Sequence, residues 1–370
     1  MAGGGRNRQL MRREATTAIP GIAAIGGVIA TGSKGSFPVI FRNAVRNFRH
    51  SGQGQFAAEA IDAAARFSED ANTRARIVRR ELPRHERLLP VLPSSLTVSI
   101  VTYRSDVALL ERCLARLALA IGAAREDRVL TQVAVALIDN SEDREIAAEG
   151  MRLARQRFAD SGVQLHFLHG HANVGYGVAH NLMLNGTGGD YQLVLNPDVE
   201  LAGDALVNAI RWLDANPDVV AVAPAVTRPD GAPDFLCKRY PAVCDLLLRG
   251  FAPRIVRRLF RQRLERYELR DVIDPASDKP VSGVPVMSGC CMLVRRAAID
   301  ATGGFDPEFF LYFEDYDWSV RLNKVAETAF LPQFRVIHHG GGAARKGWKH
   351  VAWFVRSAFR FYNKHGWRFV

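Results

Sequence analysis

A cluster of carboxylates near the end of the chain has surroundings that suit proton transfer. Glu314, Asp315 and Asp317 lie in GGFDPEFFLYFEDYDWSVRL, where they open a predicted helix directly after a run of aromatic residues. Partial burial beside aromatic side chains raises the pKa of a carboxyl group and makes it a competent general base. The alternative is structural, because acidic residues in a first turn complement the helix dipole and Asp317 can pair with Arg321. We favour a general base in this cluster.

A second candidate carboxylate is Asp198, in LNPDVE directly after an apolar β-like run. A carboxylate at a strand end can bind Mg²⁺ or Mn²⁺, which take one or two carboxylates together with diphosphate oxygens and water. An Asn-Pro-Asp turn is the structural alternative, and the segment alone favours it. Two histidines, His338 and His339, follow the later strand FRVI. Successive strand side chains point opposite ways, so at most one of them can face the site of Asp198.

Polar residues also end the first two predicted strands. Thr102 and Tyr103 end the first strand, and Asp139, Asn140 and Ser141 end the second. The carboxyl ends of parallel strands lie side by side, and a carboxylate there can accept hydrogen bonds from a base or a ribose. Asp, Asn and Ser are also the preferred helix N-caps, so a capping role is equally open.

A glycine-containing turn, NVGYGVAHN, runs from Asn173 to Asn181. Its two glycines let the backbone approach a ligand closely, and the helix that follows offers free N–H groups for phosphate. The spacing is not that of the GxGxxG dinucleotide fingerprint, so the turn gives no support for NAD binding.

The elements that position these residues alternate between strand and helix. Strands are predicted at 96–103, 133–138, 165–168, 192–196 and 219–223, and helices at 107–121, 144–159, 178–185 and 203–214. This alternation predicts an α/β fold with a mostly parallel, Rossmann-like sheet and helices on both faces. Ligands are then expected beyond the carboxyl ends of the strands.

Changes in composition and the positions of Pro- and Gly-containing segments divide the chain into four parts. These are a basic N-terminal extension (1–93), a ligand-binding half (94–225), a less regular half that carries the acidic cluster (226–340) and a basic, aromatic C-terminal helix (341–370). The 49 Lys and Arg against 38 Asp and Glu give a net charge of +11, which favours a polyanionic partner: nucleic acid, a phosphorylated small molecule or an anionic membrane. Two alternatives are open for the C-terminal helix, namely packing on the core with a solvated basic face, which we favour, and contact with such a membrane.

Taken in order, VSIVTY, IDNSED, NVGYGVAHN, LNPDV, GGFDPEFFLYFEDYDW and HHG resemble the inverting glycosyltransferases of family 2, which have the GT-A fold. The branch that the sequence looks most like is that of bacterial rhamnosyltransferases, which build cell-surface polysaccharide. The resemblance covers roughly residues 96–340 and leaves the N-terminal extension outside it.

The resemblance implies a role for each matching residue. Asp315 is the implied catalytic base, with Glu314 orienting it or the acceptor. Asp198 is the implied ligand of a divalent metal, Mg²⁺ or Mn²⁺, with His338 chosen over His339 to complete the site. The implied substrate-binding residues are Thr102, Tyr103, Asp139, Asn140, Asn173, Gly175, Asn181 and Asn196. The last of these stands where the family's D-x-D element often has its first Asp, which weakens the expectation of a metal.

The implied reaction moves a hexose, with rhamnose from dTDP-rhamnose as the first choice, to a hydroxyl of a cell-surface glycan or a polyprenyl-diphosphate-linked acceptor. The implied place is the cytoplasm, at the inner face of the cell membrane. Glucosyl, galactosyl or N-acetylhexosaminyl transfer is the nearest alternative. A non-catalytic nucleic-acid-binding protein is the alternative from another class, and the acidic cluster opposes it because carboxylates repel phosphate.

Overall fold

The computed structural model describes residues 94–184, 189–340 and 348–370. The predicted N-terminal extension, 1–93, and the first residues of the predicted C-terminal part lie outside the described residues. The strands are β1 (Ser94–Thr102), β2 (Leu130–Asp139), β3 (Gln164–Leu168), β4 (Tyr191–Leu195), β5 (Val199–Leu201), β6 (Val219–Thr227), β7 (Pro233–Asp234), β8 (Val281–Ser282), β9 (Cys291–Arg295) and β10 (Glu327–His338). The helices are α1 (Val107–Glu126), α2 (Arg144–Arg157), α3 (Tyr176–Leu184), α4 (Ala205–Ala215), α5 (Val243–Phe251), α6 (Arg254–Leu259), α7 (Arg261–Tyr267), α8 (Arg296–Thr302), α9 (Glu314–Val325) and α10 (Trp348–His365).

The strands form one sheet in the order β3-β2-β1-β4-β9-β6-β10-β5, with β7 beside β6 and β8 beside β10. The pairs β3–β2, β2–β1, β1–β4 and β6–β10 are parallel. The strand β9 is antiparallel to both of its neighbours, and β5 is antiparallel to β10. The prediction of an α/β fold with a mostly parallel sheet is therefore confirmed.

Both faces of the sheet are covered, because adjacent strand residues point to opposite sides. In β4, Leu193 belongs to a core cluster that α1, α2 and α4 cover, whereas Val194 belongs to a cluster that includes Trp318 and Leu322 of α9. These four side chains are all fully buried. The near-continuous apolar sequence of the central strands follows from this burial on both faces.

Strand register brings the sequence-predicted residues to one edge of the sheet. Thr102 is the partner of Asp139 at the ends of β1 and β2. At the opposite end of the strand order, His338 is the partner of Val199 in the antiparallel pair β10–β5. Since Asp198 directly precedes Val199, the register places Asp198 beside His338, although the two are far apart in the sequence.

Helix α10 packs on the body of the protein with one face, as the packing alternative for the C-terminal helix predicted. Phe361 and Tyr362 are buried in a cluster with Phe309 and Phe313, which belong to the loop before α9. The hydroxyl of Ser357 donates to the carbonyl of Leu311 in the same loop. Helix α10 therefore fixes the loop that leads into the acidic cluster. Among the described residues, no helix combines the length and apolarity that crossing a membrane requires.

Asp317 ties α9 to the end of α10. Its side chain is fully buried and pairs with Arg321 at 2.7 Å, as the sequence predicted, and also with Lys364 and His365, each at 2.7 Å. Burial raises the pKa of this carboxyl, but the contact with His365 and the charges of Arg321 and Lys364 lower it by more, so the pKa lies below its usual range. Asp317 is thus held as a charged structural residue.

We expect Asp317→Asn to destabilise the fold by about 3–5 kcal/mol, because it removes one partner from a buried ion-pair cluster. The depressed pKa in the folded state means that this stabilisation is present above the unfolded pKa, about 3.9, and is lost as the pH falls toward the folded value. Urea unfolding at neutral and acidic pH measures both effects. Asp300→Asn, at a half-exposed carboxylate 3.7 Å from Arg296, is the matched control. Equal stability of the two variants at neutral pH would contradict this role of Asp317.

Candidate active site

At the ends of β1 and β2, Asp139 is held in place by two hydroxyl groups. Thr102 donates to one carboxylate oxygen at 2.9 Å and Ser141 donates to the other at 2.6 Å. All three side chains are buried, whereas Tyr103 is 53% exposed at the rim. The hydroxyl of Thr102 is therefore already used by Asp139, and Tyr103 is the residue of this group whose ring is open to a ligand.

Asn140 holds the glycine-containing turn. Its amide nitrogen donates to the carbonyl of Gly175 at 3.0 Å, and its amide oxygen lies 3.1 Å from a ring nitrogen of His171. Within the turn, the side-chain oxygen of Asn173 accepts from the N–H of Gly175 at 3.0 Å. The side chains of Asn140 and Asn173 thus fix the shape of the turn.

Gly175 is required where the turn meets the loop before α9. Its φ is +89°, and a Cβ at this position would overlap the backbone of Phe310. The N–H of the next residue, Tyr176, donates to the carbonyl of Phe310 at 3.0 Å. Only glycine combines this φ with so close an approach, so the turn and the loop that carries the acidic cluster are joined directly.

The side chain of Asn181 hydrogen-bonds to the backbone of Phe305. Its amide nitrogen donates to the carbonyl of Phe305 at 2.7 Å, and its amide oxygen accepts from the N–H of the same residue at 2.9 Å. Both polar ends of the side chain are engaged by one backbone. These contacts position α3 against the Phe305 segment, and a role of Asn181 in lining the pocket stays a prediction.

Tyr176 links the two candidate carboxylates. Its hydroxyl lies 2.8 Å from the side-chain oxygen of Asn196, two residues before Asp198, and 2.7 Å from the carbonyl of Gly289. The N–H of Gly289 in turn donates to Asp315 at 2.9 Å. The structure therefore brings the Asp198 and Asp315 segments together. The roles of Tyr176 and Gly289 could not be predicted from the sequence, because both depend on contacts between distant segments.

Asp315 and Glu314 open α9 in a water-poor environment. Burial raises the pKa of both carboxyls, that of Glu314 well above its usual range, and the charge of Asp315 raises the pKa of Glu314 further. The N–H groups of Gly289 and Tyr316 lower the pKa of Asp315 in part. One oxygen of Glu314 is buried with no hydrogen-bond partner among the described residues. Two adjacent carboxyls with raised pKa values take up a proton more readily than ordinary carboxyls, which suits a general base.

The backbone before Glu314 is strained. Tyr312 and Phe313 have φ values of +68° and +63°, in the left-handed region that bulky residues rarely adopt. Such strain persists only where surrounding packing enforces it, and it clusters at functional sites. Here the packing of α10 on the loop holds Tyr312 and Phe313 in this conformation.

Asp198 and His338 form the second part of the site. Nε2 of His338 lies 3.6 Å from Oδ1 of Asp198. Burial raises the pKa of Asp198, but the neighbouring imidazole of His338 outweighs burial, and the pKa lies below its usual value. Oδ1 of Asp198 and Nδ1 of His338 are both buried with no hydrogen-bond partner among the described residues. A Cβ on Gly340 would overlap this pair, so glycine keeps the space beside it open.

These residues fit a divalent cation. A carboxylate and an imidazole with buried, unpaired atoms are suitable ligands for Mn²⁺ or Mg²⁺, with diphosphate oxygens and water completing the shell. The described part of the chain has no group of three or more His, Cys, Asp or Glu side chains around one point. His339 points to a different carboxylate, with its Nε2 2.7 Å from Glu200, which supports the choice of His338.

Comparison with known proteins identifies the class. Residues 93–354 match the family model described as "Glycosyltransferase like family 2". The chain is 31% identical over 292 residues to the N-acetylglucosaminyl-diphospho-decaprenol L-rhamnosyltransferase of Mycobacterium tuberculosis (strain H37Rv), with 74% of this chain and 86% of the relative covered. The chain therefore belongs to glycosyltransferase family 2 and is a nucleotide-sugar glycosyltransferase with a GT-A-like fold.

Two further similarities are more distant. The rhamnosyltransferase WbbL of Escherichia coli (strain K12) is 24% identical over 176 residues, which cover 46% of this chain and 61% of that protein. The structure of the mannosyltransferase PcManGT from Pyrobaculum calidifontis, in complex with GDP-Man and Mn²⁺, aligns with a TM-score of 0.49 and 17% identity, covering 84% of this chain and 76% of that chain.

Membership of glycosyltransferase family 2 sets aside the alternative hypothesis of a non-catalytic nucleic-acid-binding protein.

Proposed function

We propose that the protein transfers rhamnose from dTDP-rhamnose, with inversion, to a hydroxyl of a polyprenyl-diphosphate-linked acceptor in the cytoplasm, at the inner face of the cell membrane. The observation that carries this proposal is the link through Tyr176 and Gly289, which sets a general base, Asp315, in the same cleft as a cation site at Asp198. Two relatives are named as rhamnosyltransferases, which supports the choice of sugar, and the lipid-linked acceptor in the name of one of them supports the choice of acceptor.

Asp315 is the base that accepts the proton of the acceptor hydroxyl as that oxygen attacks the sugar carbon. Its raised pKa suits it to this task, and the N–H of Gly289 holds one of its oxygens while the other faces Tyr316. Glu314 directly precedes Asp315. Two negative charges so close together repel each other, so the pair takes up a proton more readily than one carboxylate alone. One base is sufficient because the reaction has a single displacement step and forms no covalent intermediate with the enzyme.

The donor is held by the edge of the sheet. Tyr103 and Asp139 would contact the base and ribose, and the turn at Asn173 and Gly175 would contact the sugar and diphosphate. Asp198 and His338 would hold the metal ion. That ion, when bound, supplies positive charge to the leaving diphosphate.

The donor is identified by a thermal-shift screen of dTDP-, UDP- and GDP-sugars with Mg²⁺ or Mn²⁺. A ligand that binds only the folded state raises the melting temperature, by an amount that corresponds to about 2.7 kcal/mol when the ligand is at about 100 times its Kd. We expect dTDP-rhamnose to give the largest shift. A larger shift with UDP-glucose, UDP-galactose or a UDP-N-acetylhexosamine would replace rhamnose with that sugar. No shift with any nucleotide-sugar would contradict the proposal.

A further inference from the structure

Helix α6 has an apolar face that the rest of the described structure leaves uncovered. None of its residues is buried. Ile255 and Leu259, one turn apart on the same side, are 77% and 79% exposed, and Phe260, directly after the helix, is 45% exposed. Large apolar side chains grouped in this way on a surface indicate an interaction site.

Arginines surround this face. Arg254, Arg257, Arg258 and Arg261 are all exposed. Arg261 pairs with Glu265 at 3.1 Å, but the other three arginines have no carboxylate partner among the described residues. The stretch 249–266 contains seven Arg and one Glu. We call Ile255, Leu259 and Phe260, together with the four arginines Arg254, Arg257, Arg258 and Arg261, the α6 surface.

Apolar exposure continues on the neighbouring elements. Helix α5 lies next to the C-terminal tail, since the N–H groups of Val243 and Cys244 donate to the carbonyls of Arg368 and Phe369. Leu247 of α5 is 55% exposed and Phe369 of the tail is 64% exposed. The outer face of α10 presents a further stripe of exposed apolar side chains at helical spacing, namely Trp348, Val351, Val355 and Phe359.

Helix α7, which follows α6 in the chain, contacts the catalytic helix. The hydroxyl of Tyr267, at the end of α7, is 2.8 Å from the hydroxyl of Tyr316, which directly follows Asp315. The segment that carries the α6 surface is therefore joined through α7 to the helix that carries the base.

Exposed aliphatic side chains flanked by arginines match the surface of an anionic bilayer. The apolar side chains insert at the headgroup–acyl boundary, and the arginines bind lipid phosphates. A second copy of the same surface is disfavoured, because it would oppose arginine with arginine. We propose that the α6 surface docks the protein on the anionic face of a lipid bilayer. The inference rests on the proposed function in that a lipid-linked acceptor is reached at such a surface.

Sedimentation of the full chain with lipid vesicles tests this docking. Vesicles of phosphatidylglycerol and phosphatidylcholine in equal parts are compared with vesicles of phosphatidylcholine alone. We expect the protein to bind the vesicles that contain phosphatidylglycerol, and we expect this binding to weaken as the salt concentration rises. Arg257→Gln with Arg258→Gln should lower the partition coefficient about fivefold per arginine, and Ile255→Ser with Leu259→Ser should also lower it. None of these side chains is buried, so melting temperatures should stay unchanged.

Matched controls come from other helices. Arg144→Gln with Arg157→Gln changes two exposed arginines of α2, and Leu119→Ser changes an apolar residue of α1 that is 59% exposed. We expect both controls to bind vesicles like the wild-type protein. Wild-type binding by the α6 variants, equal binding to both vesicle types, or self-association that depends on α6 without vesicle binding would each overturn the inference.

The two proposals can fail separately. The vesicles contain neither donor nor acceptor, so vesicle binding without any sugar transfer in a separate assay would count against the proposed function alone. Transfer to the lipid-linked acceptor without vesicle binding would count against the α6 surface alone.

Discussion

Asp315→Asn should lower kcat by about 10²–10⁴-fold, the usual contribution of a general base, while the affinity for nucleoside diphosphate stays near that of the wild-type protein. The amide has the shape of the carboxylate and can still accept from the N–H of Gly289, but it cannot take the acceptor proton. Single-turnover transfer measures the first quantity and calorimetry with nucleoside diphosphate measures the second.

Two controls make this result specific. Asp300→Asn makes the same chemical change at a half-exposed position of α8 and should leave kcat unchanged. The pH profile is the other control. The base acts in its deprotonated form, so kcat/KM should rise with pH through a pKa above the ordinary Asp value of about 3.9, and this limb should disappear in Asp315→Asn. Turnover of Asp315→Asn near the wild-type rate would contradict the assignment of the base.

Asp198→Ala should weaken metal-dependent binding of nucleoside diphosphate by more than about 10²-fold. Loss of an outer-shell partner of a metal typically costs about 10–100-fold in affinity, and loss of a ligand should cost more. Calorimetry with nucleoside diphosphate, with and without Mn²⁺, measures the effect. The same experiment on His338→Ala should give a loss in the same direction.

The neighbouring pair provides the control for the metal site. His339 and Glu200 contact each other at 2.7 Å. His339 directly follows His338, and Glu200 lies two residues after Asp198. His339→Ala and Glu200→Gln should therefore bind nucleoside diphosphate nearly as well as the wild-type protein. Unchanged affinity in Asp198→Ala would remove the metal role from this carboxylate, and a larger loss in His339→Ala than in His338→Ala would exchange the two histidines.

The strands and helices of the first half were predictable because their signals are local. The predicted strand 133–138 lies within Leu130–Asp139, and the predicted helix 107–121 lies within Val107–Glu126. The position of β9 was not predictable. It lies between β4 and β6 and is antiparallel to both, and this pairing joins segments that are distant in the sequence, such as Leu195 with Cys291 and Ala221 with Val294.

In the candidate site, too, features with local signals were predictable and features that depend on distant segments were not. The types of Asp198, Asp315 and His338 could be selected from their sequence context, because strand ends and helix starts are local features. The role of Asp317 depends on Lys364 and His365, which pair with it from another helix. The engagement of Asn181 by the backbone of Phe305 was hidden for the same reason.

The anomeric configuration of the product tests most directly the central claim that the sugar is transferred in a single displacement, the step for which one base is sufficient. The measurement is an NMR spectrum of the glycolipid formed from dTDP-rhamnose labelled with ¹³C at the anomeric carbon. We expect the anomer opposite to that of the donor. A product with the donor's configuration would exclude a single back-face displacement and would contradict the proposed mechanism.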